Sequence, residues 1–581
     1  MDKAAVATVL ENIAAMLELK GENPFKIRAY QNGARALIAS GADLDVLVNE
    51  DRLTEIKGIG KGLSENISTL VKTGRLPFYE ELKKTLHPGL LELTRIQGLG
   101  PKKALILHEK LGVTDLPSLQ KACAENKVAK LKGFGQATQD NILKGIAFHA
   151  EHAKEFLIDE AQETAEFIIK ALKNLPDVKR ISICGSLRRR KELVRDVDIL
   201  VSVKDTPSPG VRREGESVME TFVKLPGVLR ILGRGETKSS VLFHKGLQVD
   251  LRVVTDAQFP FALHYFTGSK EHNIVMRQRA QARDLKLNEY SLLRDNGKSL
   301  PCRDEAELFA ALDLPYIPPE LREDRGEFAA AEQKKLPVLV EAKDLKGVFH
   351  VHSTWSDGKA ELEAIIAEAQ AMGFEYVGIS DHSQSASYAG GLTIERVKEQ
   401  GRVIEALRKK FKIHIFWGSE CDILKTGAMD YPDAVLKHYD FVIASVHSFF
   451  KLSEKEMTDR MIRALKNKYV THLGHITGRL LLRREPYALN IGAVLKVAAQ
   501  EGVAVEINAL PERLELDWRQ IPLAKELGCS FSVNPDAHSI GDLHGFTRGI
   551  GIARKGWLIK QDVVNTLPLI QMKTYLQRRR S

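Results

Sequence analysis

The chain has 581 residues, 44% of them hydrophobic and 28% charged, with a formal net charge of +9, so about three to five domains with ample cores are expected and a polyanionic partner is suited but not identified. Its five cysteines, Cys123, Cys184, Cys302, Cys421 and Cys529, lie far apart without C-x-x-C spacing, so neither a disulfide framework nor a cysteine zinc site is indicated. No run of about eighteen apolar residues and no leader-like start occurs, so neither a secreted nor a membrane protein is expected, and a reducing cytoplasm fits.

In chain order, Val6, Leu10, Ile13, Ala14 and Leu17 fall at helical spacing, and Ala29 to Ile38 continues the pattern after Asn23-Pro24. A phrase then recurs three times: Ile56-Lys57-Gly58-Ile59-Gly60-Lys61, Ile96-Gln97-Gly98-Leu99-Gly100-Pro101-Lys102-Lys103, and Leu131-Lys132-Gly133-Phe134-Gly135-Gln136. Gly-apolar-Gly lets the backbone turn tightly, so that amides opening the next helix can meet a phosphate, with Lys61, Lys102 and Lys103 adding charge. One copy is usually only a turn between helices. Three copies in a basic chain predict helix-hairpin-helix binding to the sugar-phosphate backbone, independent of base sequence. The candidate contacts are Gly58, Gly60, Lys61, Gly98, Gly100, Lys102, Lys103, Gly133 and Gly135.

After a long helical run near 157 to 173, Ile181 to Cys184 reads as a strand that breaks at Gly185-Ser186, ahead of Arg188, Arg189 and Arg190. Val197, Ile199, Val201 and Val203 alternate as one buried face of the next strand, which sends Asp196 and Asp198 together to the other. A lone D-x-D of this kind is usually a solvated face. Here the Gly-Ser turn and arginines stand ready for phosphates, two carboxylates can bind a pair of divalent ions, and Asp250 on a further alternating strand supplies a third. Beyond it, Tyr265-Phe266-Thr267-Gly268-Ser269 breaks onto a helix whose one face carries Lys270, Asn273 and Arg277, able to lie across a base pair.

Residues Pro315 to Leu345 read as the end of that region and a linker. The pattern then changes to short β-branched runs alternating with helices. Seven strands are predicted: Val348–His352, Tyr376–Ser380, Ile413–Gly418, Phe441–Ser445, Tyr469–Leu473, Val503–Ile507 and Ser530–Val533. Nearly all end in metal-type residues: His350, His352 and Asp357, then Asp381 and His382, Glu420, His447, His475, Asp536 and His538. One histidine at a strand end is more often structural than a ligand. The carboxyl ends of successive barrel strands converge, however, and so many imidazoles and carboxylates together imply cations among them. Arg479, Arg483 and Arg484 are candidate DNA guides or solvated charges.

The Gly185-Ser186-Leu187-Arg188-Arg189 turn, the three aspartates and Tyr265 to Lys270 resemble the family X DNA polymerases, which include polymerase beta, within the nucleotidyltransferase superfamily; His350-Val351-His352 to Gly358 resembles the first motif of the PHP (polymerase and histidinol phosphatase) domain. The resemblance implies a multidomain α/β chain: an N-terminal helical domain (1–80) with the first hairpin, fingers (81–155) with the other two, a nucleotidyltransferase palm (156–256), a thumb (257–320), a linker (321–340) and a distorted (β/α)7 PHP barrel (341–575). It implies catalytic Asp196, Asp198 and Asp250 with two Mg2+ or Mn2+; Gly185, Ser186 and Arg189 on the dNTP triphosphate; Tyr265, Phe266 and Gly268 against the sugar; Asn273 on the base edge and Arg277 on the template. Lys270, where relatives carry an acidic residue, reads either as added nucleotide affinity or as a solvent lysine. Arg188 and Arg190 read as DNA-backbone or surface residues. In the barrel the implied ligands are His350, His352, Asp357, His382, Glu420, His447, His475, Asp536 and His538, for up to three Mn2+ or Zn2+. Asn66 stands where lyase-competent relatives place the Schiff-base lysine, which puts lyase activity in doubt. The function implied is short-gap filling on gapped or nicked DNA in repair, with 3'–5' trimming, by a nucleoid-associated monomer that contacts no membrane. The alternatives are a template-independent nucleotidyltransferase and a DNA-end-binding scaffold with nuclease activity only.

Overall fold

The computed structural model describes residues 3–39, 44–56, 58–94, 96, 99–152, 154–203 and 216–579. They divide into two units, Met1–Lys154 with Leu482–Glu485 and Glu155–Leu481 with Pro486–Ser581. No helix among the described residues is long and apolar enough to cross a membrane.

The first unit is helical. Its elements include α1 (Lys3–Leu19), α2 (Pro24–Ala39), α3 (Lys61–Thr73), α4 (Pro101–Leu111) and α5 (Gly135–His152). Val6, Leu10, Ile13 and Leu17 form the buried stripe of α1 and join Ile59, Ile67 and Leu70 in one core. Leu99, Ala104, Leu107, Phe134 and Ile142 share a second core. Among the described residues, the three repeated phrases share one hydrogen bond and one buried residue, though Gly135 opens its helix at a φ of +66° where Gly60 and Gly100 are extended caps. The apolar residue between the glycines, Ile59, Leu99 or Phe134, is buried, and its N–H donates to the carbonyl three residues earlier, at 2.9, 3.0 and 3.1 Å. The apolar residue plugs the turn into the core. Gly60 and Gly100 cap α3 and α4 in extended backbone, and Gly58 takes a φ of +104°, which a side chain would resist. Gly98 lies outside the described residues.

Among the described residues, the second unit holds two large sheets and two short two-stranded ones. Helix α6 (Ile158–Leu172) packs on a five-stranded sheet of β1 (Val178–Ile183), β2 (Asp196–Val203), β3 (Arg230–Arg234), β4 (Lys238–Leu242) and β5 (Gln248–Thr255), in the order β1-β2-β5-β4-β3. Only β2 and β5 run parallel, so they come from distant sequence yet lie side by side. Helices α7 (Phe259–Thr267) and α8 (Lys270–Gln281) follow. The expected linker is not a tether. Residues 321–340 contain the helix Glu327–Glu332 and bury Arg322 and Glu327 completely, because each meets an opposite or complementary partner: Arg322 donates to Glu305 at 2.5 Å, and His272 stands 2.9 Å from Glu327.

The seven predicted barrel strands all occur, as β6 (Gly347–Val348), β7 (Tyr376–Ile379), β8 (His414–Asp422), β9 (Phe441–Ser445), β10 (His472–Leu473), β11 (Ala504–Asn508) and β12 (Phe531–Asn534). They form one parallel sheet in sequence order. A bridge between Val351 and Ala537 brings the first and last strands together, so the sheet is a nearly closed barrel.

Candidate active sites

In the palm, β2 buries Val197, Ile199 and Val201 and leaves Asp196 and Asp198 on the less buried face. The parallel register sets Asp198 directly opposite Asp250 of β5. Gly185, at a φ of +62°, turns the chain over this pair so closely that a Cβ there would lie 2.5 Å from Asp198 Oδ2. Burial and the charges of Asp196 and Asp250 push Asp198 up to about 7, and burial and Asp250 raise Asp196 as well. Asp250 differs. Burial would raise it too, but Lys238, Ser240 and Gln248 outweigh that and hold it below the usual carboxylate range, with Lys238 Nζ at 2.5 Å and Gln248 Nε2 at 3.0 Å. Crowded carboxylates, two of them raised by burial and aspartate neighbours and the third held by a lysine, fit a site that divalent cations would neutralise.

Beside the trio, Arg189 donates from Nε to Glu323 at 3.0 Å and from Nη1 to the carbonyl of Thr267 at 2.5 Å, where α7 ends at Gly268 with a φ of +71°. Asn273 Nδ2 donates to the Tyr265 carbonyl at 2.8 Å, and Phe266 lies 4.1 Å from the Arg252 guanidinium. Gly185, Ser186, Arg189, Tyr265, Phe266, Gly268 and Asn273 thus belong to the one turn-and-helix region, while Lys270 and Arg277 stand exposed along α8. Arg188, expected as a DNA-backbone or surface residue, is mostly buried and engaged within the chain. It donates to Glu305 at 2.6 and 3.1 Å and to Thr267 Oγ1 at 2.6 Å, tying α7 and the helix Glu305–Ala310 to the palm.

In the barrel, the strand ends and the loops that follow them bring all nine predicted residues together, most of them buried, with Asp357 exposed and His447 and His538 partly so. Four overlapping groups have ligand atoms within 4.8 Å of one another: His352, Asp357, His382 and His538; His350, Glu420 and His475; His350, His352 and Asp536; His382, Glu420 and His447. Glu420 is the hub, with His475 Nε2 at 2.8 Å, His382 Nδ1 at 3.0 Å and His447 Nε2 at 3.3 Å. His350 Nε2, His382 Nδ1 and both ring nitrogens of His352 are buried without a hydrogen-bond partner, the state of imidazoles built to donate lone pairs to a cation. Burial opposes charge on His350, yet Asp536, Glu506 and Glu420 lift it well above the usual histidine range; burial and the imidazoles of His538 and His382 push His352 down to about 3.

Two residues that orient these rings were missed in the sequence. Glu506 accepts from His350 Nδ1 at 2.5 Å and from the His475 amide at 2.8 Å, and Asp422 meets His447 Nδ1 at 2.6 Å, so both rings turn Nε2 inward. A lone glutamate inside the apolar Ala504–Asn508 strand, and an aspartate two positions after Glu420 on the same strand, were the available signals. Arg513 was missed as well. It lies 3.8 Å from Asp536 and 3.7 Å from Glu515, with Nε and Nη1 buried and lacking a hydrogen-bond partner. Asp381, in contrast, faces Ser353, Ser356 and Gln400 at 2.5 to 2.8 Å and holds the first motif in shape. Arg479 is no DNA guide, since it pairs with Asp517 at 2.7 Å and the Arg513 carbonyl at 2.8 Å. In the helical unit, Lys61 and Lys102 are exposed in the first turns of α3 and α4, and Asn66 donates to the Tyr30 hydroxyl at 2.9 Å.

Family models match along the chain: a helix-hairpin-helix domain at 1–76, a SAM-like helix-hairpin-helix tandem at 90–147, the DNA polymerase beta palm at 158–228 and thumb at 262–323, and the PHP domain at 349–509. The chain is 25% identical to rat DNA polymerase lambda over 297 residues, covering 46% of this chain and 48% of that protein. Over 229 residues it is 29% identical to a protein named probable phosphatase from Caldanaerobacter subterraneus, covering 37% of this chain and 83% of that one. It is 37% identical over 582 residues, the full length of both proteins, to the DNA polymerase/3'-5' exonuclease PolX of Bacillus subtilis. The chain therefore belongs to the PolX family, in which helix-hairpin-helix domains and a polymerase beta-type palm and thumb are joined to a PHP barrel.

Proposed function

We propose that this chain is a DNA polymerase that fills short gaps on gapped or nicked duplexes from dNTPs, and that its barrel trims 3' ends as a 3'–5' exonuclease. The observation that carries the reading is the presence in one unit of two separate clusters suited to cations, Asp196, Asp198 and Asp250 in the palm and the nine residues around Glu420 in the barrel. The donor chemistry suits two Mg2+ or Mn2+ on the palm carboxylates and up to three Mn2+ or Zn2+ among the barrel imidazoles. When bound, such ions neutralise phosphoryl charge and lower the pKa of a primer 3'-hydroxyl or of a water.

The chain's own residues do the rest. Ser186 and the unengaged Nη2 of Arg189 hold the triphosphate, while Tyr265, Phe266 and the side-chain-free edge of Gly268 bound the sugar. Asn273 keeps its Oδ1 buried and unpaired for the incoming base edge, and Lys270 and Arg277 extend from α8 toward nucleotide and template. Lys238 holds the Asp250 carboxylate in place, and the same carboxylate would be a ligand for a cation at this site. In the barrel, Glu506 and Asp422 fix the rings of His350 and His447, and the unpaired edge of Arg513 receives the scissile phosphate. Gly58, Gly60, Lys61, Gly100, Lys102, Lys103, Gly133 and Gly135 grip DNA backbone on either side of the gap, with Gly98 assigned by its repeat alone. Asn66 cannot form an imine, so no lyase step is assigned. The protein works as a monomer in the cytoplasm, with the nucleoid.

The test is a one-nucleotide-gap assay with Asp198→Ala and His350→Ala in Mg2+ and in Mn2+. The first substitution is expected to abolish extension and spare trimming, and the second to do the reverse. Loss of both activities in either variant would reject two independent sites.

A further inference from the structure

One carboxylate joins the barrel domain to the nucleotide end of the palm. Lys555, the last residue of α9 (Phe546–Lys555), is 1% exposed, and its Nζ lies 2.6 Å from Glu323 Oε1, 3.1 Å from the Arg189 carbonyl and 3.5 Å from the Glu320 carbonyl. The same Oε1 of Glu323 accepts from Arg189 Nε at 3.0 Å. Lys555 also sits 4.4 Å from the ring centroid of Trp518, whose Nε1 donates to Glu192 at 3.0 Å in the segment that follows the Arg189 turn. Burial pulls the ammonium down to about 8, and Glu323 opposes the shift, so the charge is kept near neutral pH.

The arithmetic of charge is informative. Arg189 and Glu323 alone form a neutral pair in which the carboxylate competes with any phosphate for the guanidinium. With Lys555 added, the cluster of three carries one net positive charge, and Glu323 is divided between two cations.

We propose that Lys555 of the barrel domain is a positioning residue for the polymerase: by sharing Glu323, it weakens that carboxylate's hold on the Arg189 guanidinium and leaves the guanidinium available to the dNTP triphosphate. The proposal rests on the reading of Arg189 as a triphosphate ligand. It makes nucleotide affinity in one domain depend on a side chain of the other, without any change at the barrel's own cluster.

The experiment measures dNTP KM and kcat for gap filling, and 3'–5' trimming, in full-length Arg189→Ala, Lys555→Met, Glu323→Gln and the double variant Glu323→Gln/Lys555→Met. Lys555→Met is expected to raise the dNTP KM about tenfold, with kcat within about twofold and trimming unchanged, the scale of a charge-dependent binding effect. The double variant, which restores the single positive charge on Arg189, is expected to return KM to within about threefold of the parent. A purely structural lysine would instead make the double variant at least as defective as Lys555→Met. If Lys555→Met does not fold, Glu323→Gln alone decides, since it is expected to leave KM unchanged or lower and a rise would overturn the proposal. An unchanged KM in Lys555→Met, with Arg189→Ala raising it, overturns the role of Lys555 and leaves Arg189 standing. An unchanged KM in Arg189→Ala removes the reading of Arg189, and the proposal with it.

Discussion

The palm and the barrel of this chain solve the same problem, holding cations beside a phosphodiester, in opposite ways. The palm trio is half-open, two of its carboxylates are raised by burial and by neighbouring aspartate charge, and the third is held by a lysine. The barrel cluster is largely buried, the rings of His350 and His447 are already aimed by Glu506 and Asp422, and its ligand atoms fall into four overlapping groups, each within 4.8 Å. The palm leaves its carboxylates for ions to complete, whereas the barrel holds its rings in place with further side chains.

Chelation separates the two most strongly. Removing divalent ions is expected to lower the barrel's melting temperature by several degrees, since ligand at about a thousand times its Kd adds about 4 kcal/mol. Asp198→Ala should leave that shift intact and His350→Ala should erase it, as scanning calorimetry with and without chelator would reveal. Next in size, Glu506→Gln and Asp422→Asn are each expected to slow trimming by about 10- to 100-fold through misaimed rings, with gap filling unchanged. Gly185→Ala places a methyl group against Asp198 at a φ of +62°. That strain, about 1–2 kcal/mol, is expected to cut extension about tenfold and spare trimming, measured on the same gapped substrate. The smallest effect belongs to Lys238→Met, whose partly exposed ammonium pair is worth about 0.2–1 kcal/mol. It should lower the Mg2+ concentration for half-maximal extension by no more than about fivefold, and a raised requirement would show that Lys238 does not compete for Asp250.

Much of this contrast was legible before folding. Alternation in Asp196–Val203 set both aspartates on one face, the short apolar runs marked the seven barrel strands, and histidines or carboxylates closed nearly all of them. What escaped was pairing across distance. Lys238 reaches Asp250 because β4 pairs with β5, an order no local pattern specifies. Arg188 and Arg479 read as charges for DNA or solvent, yet their partners Glu305 and Asp517 lie 117 and 38 residues away. The linker expected from Pro315 to Leu345 carried polar residues, and the sequence did not reveal that Arg322 and Glu327 would be buried against Glu305 and His272.

The most direct test is anomalous diffraction from crystals of the protein soaked in Mn2+ without DNA or nucleotide, then with a gapped duplex and a non-reactive dNTP analogue. The expected result is metal peaks among His350, Glu420, Asp536 and their neighbours in both crystals, and at Asp196, Asp198 and Asp250 only in the second. Peaks at the three aspartates in the first crystal, or none in the barrel of either, would contradict the account.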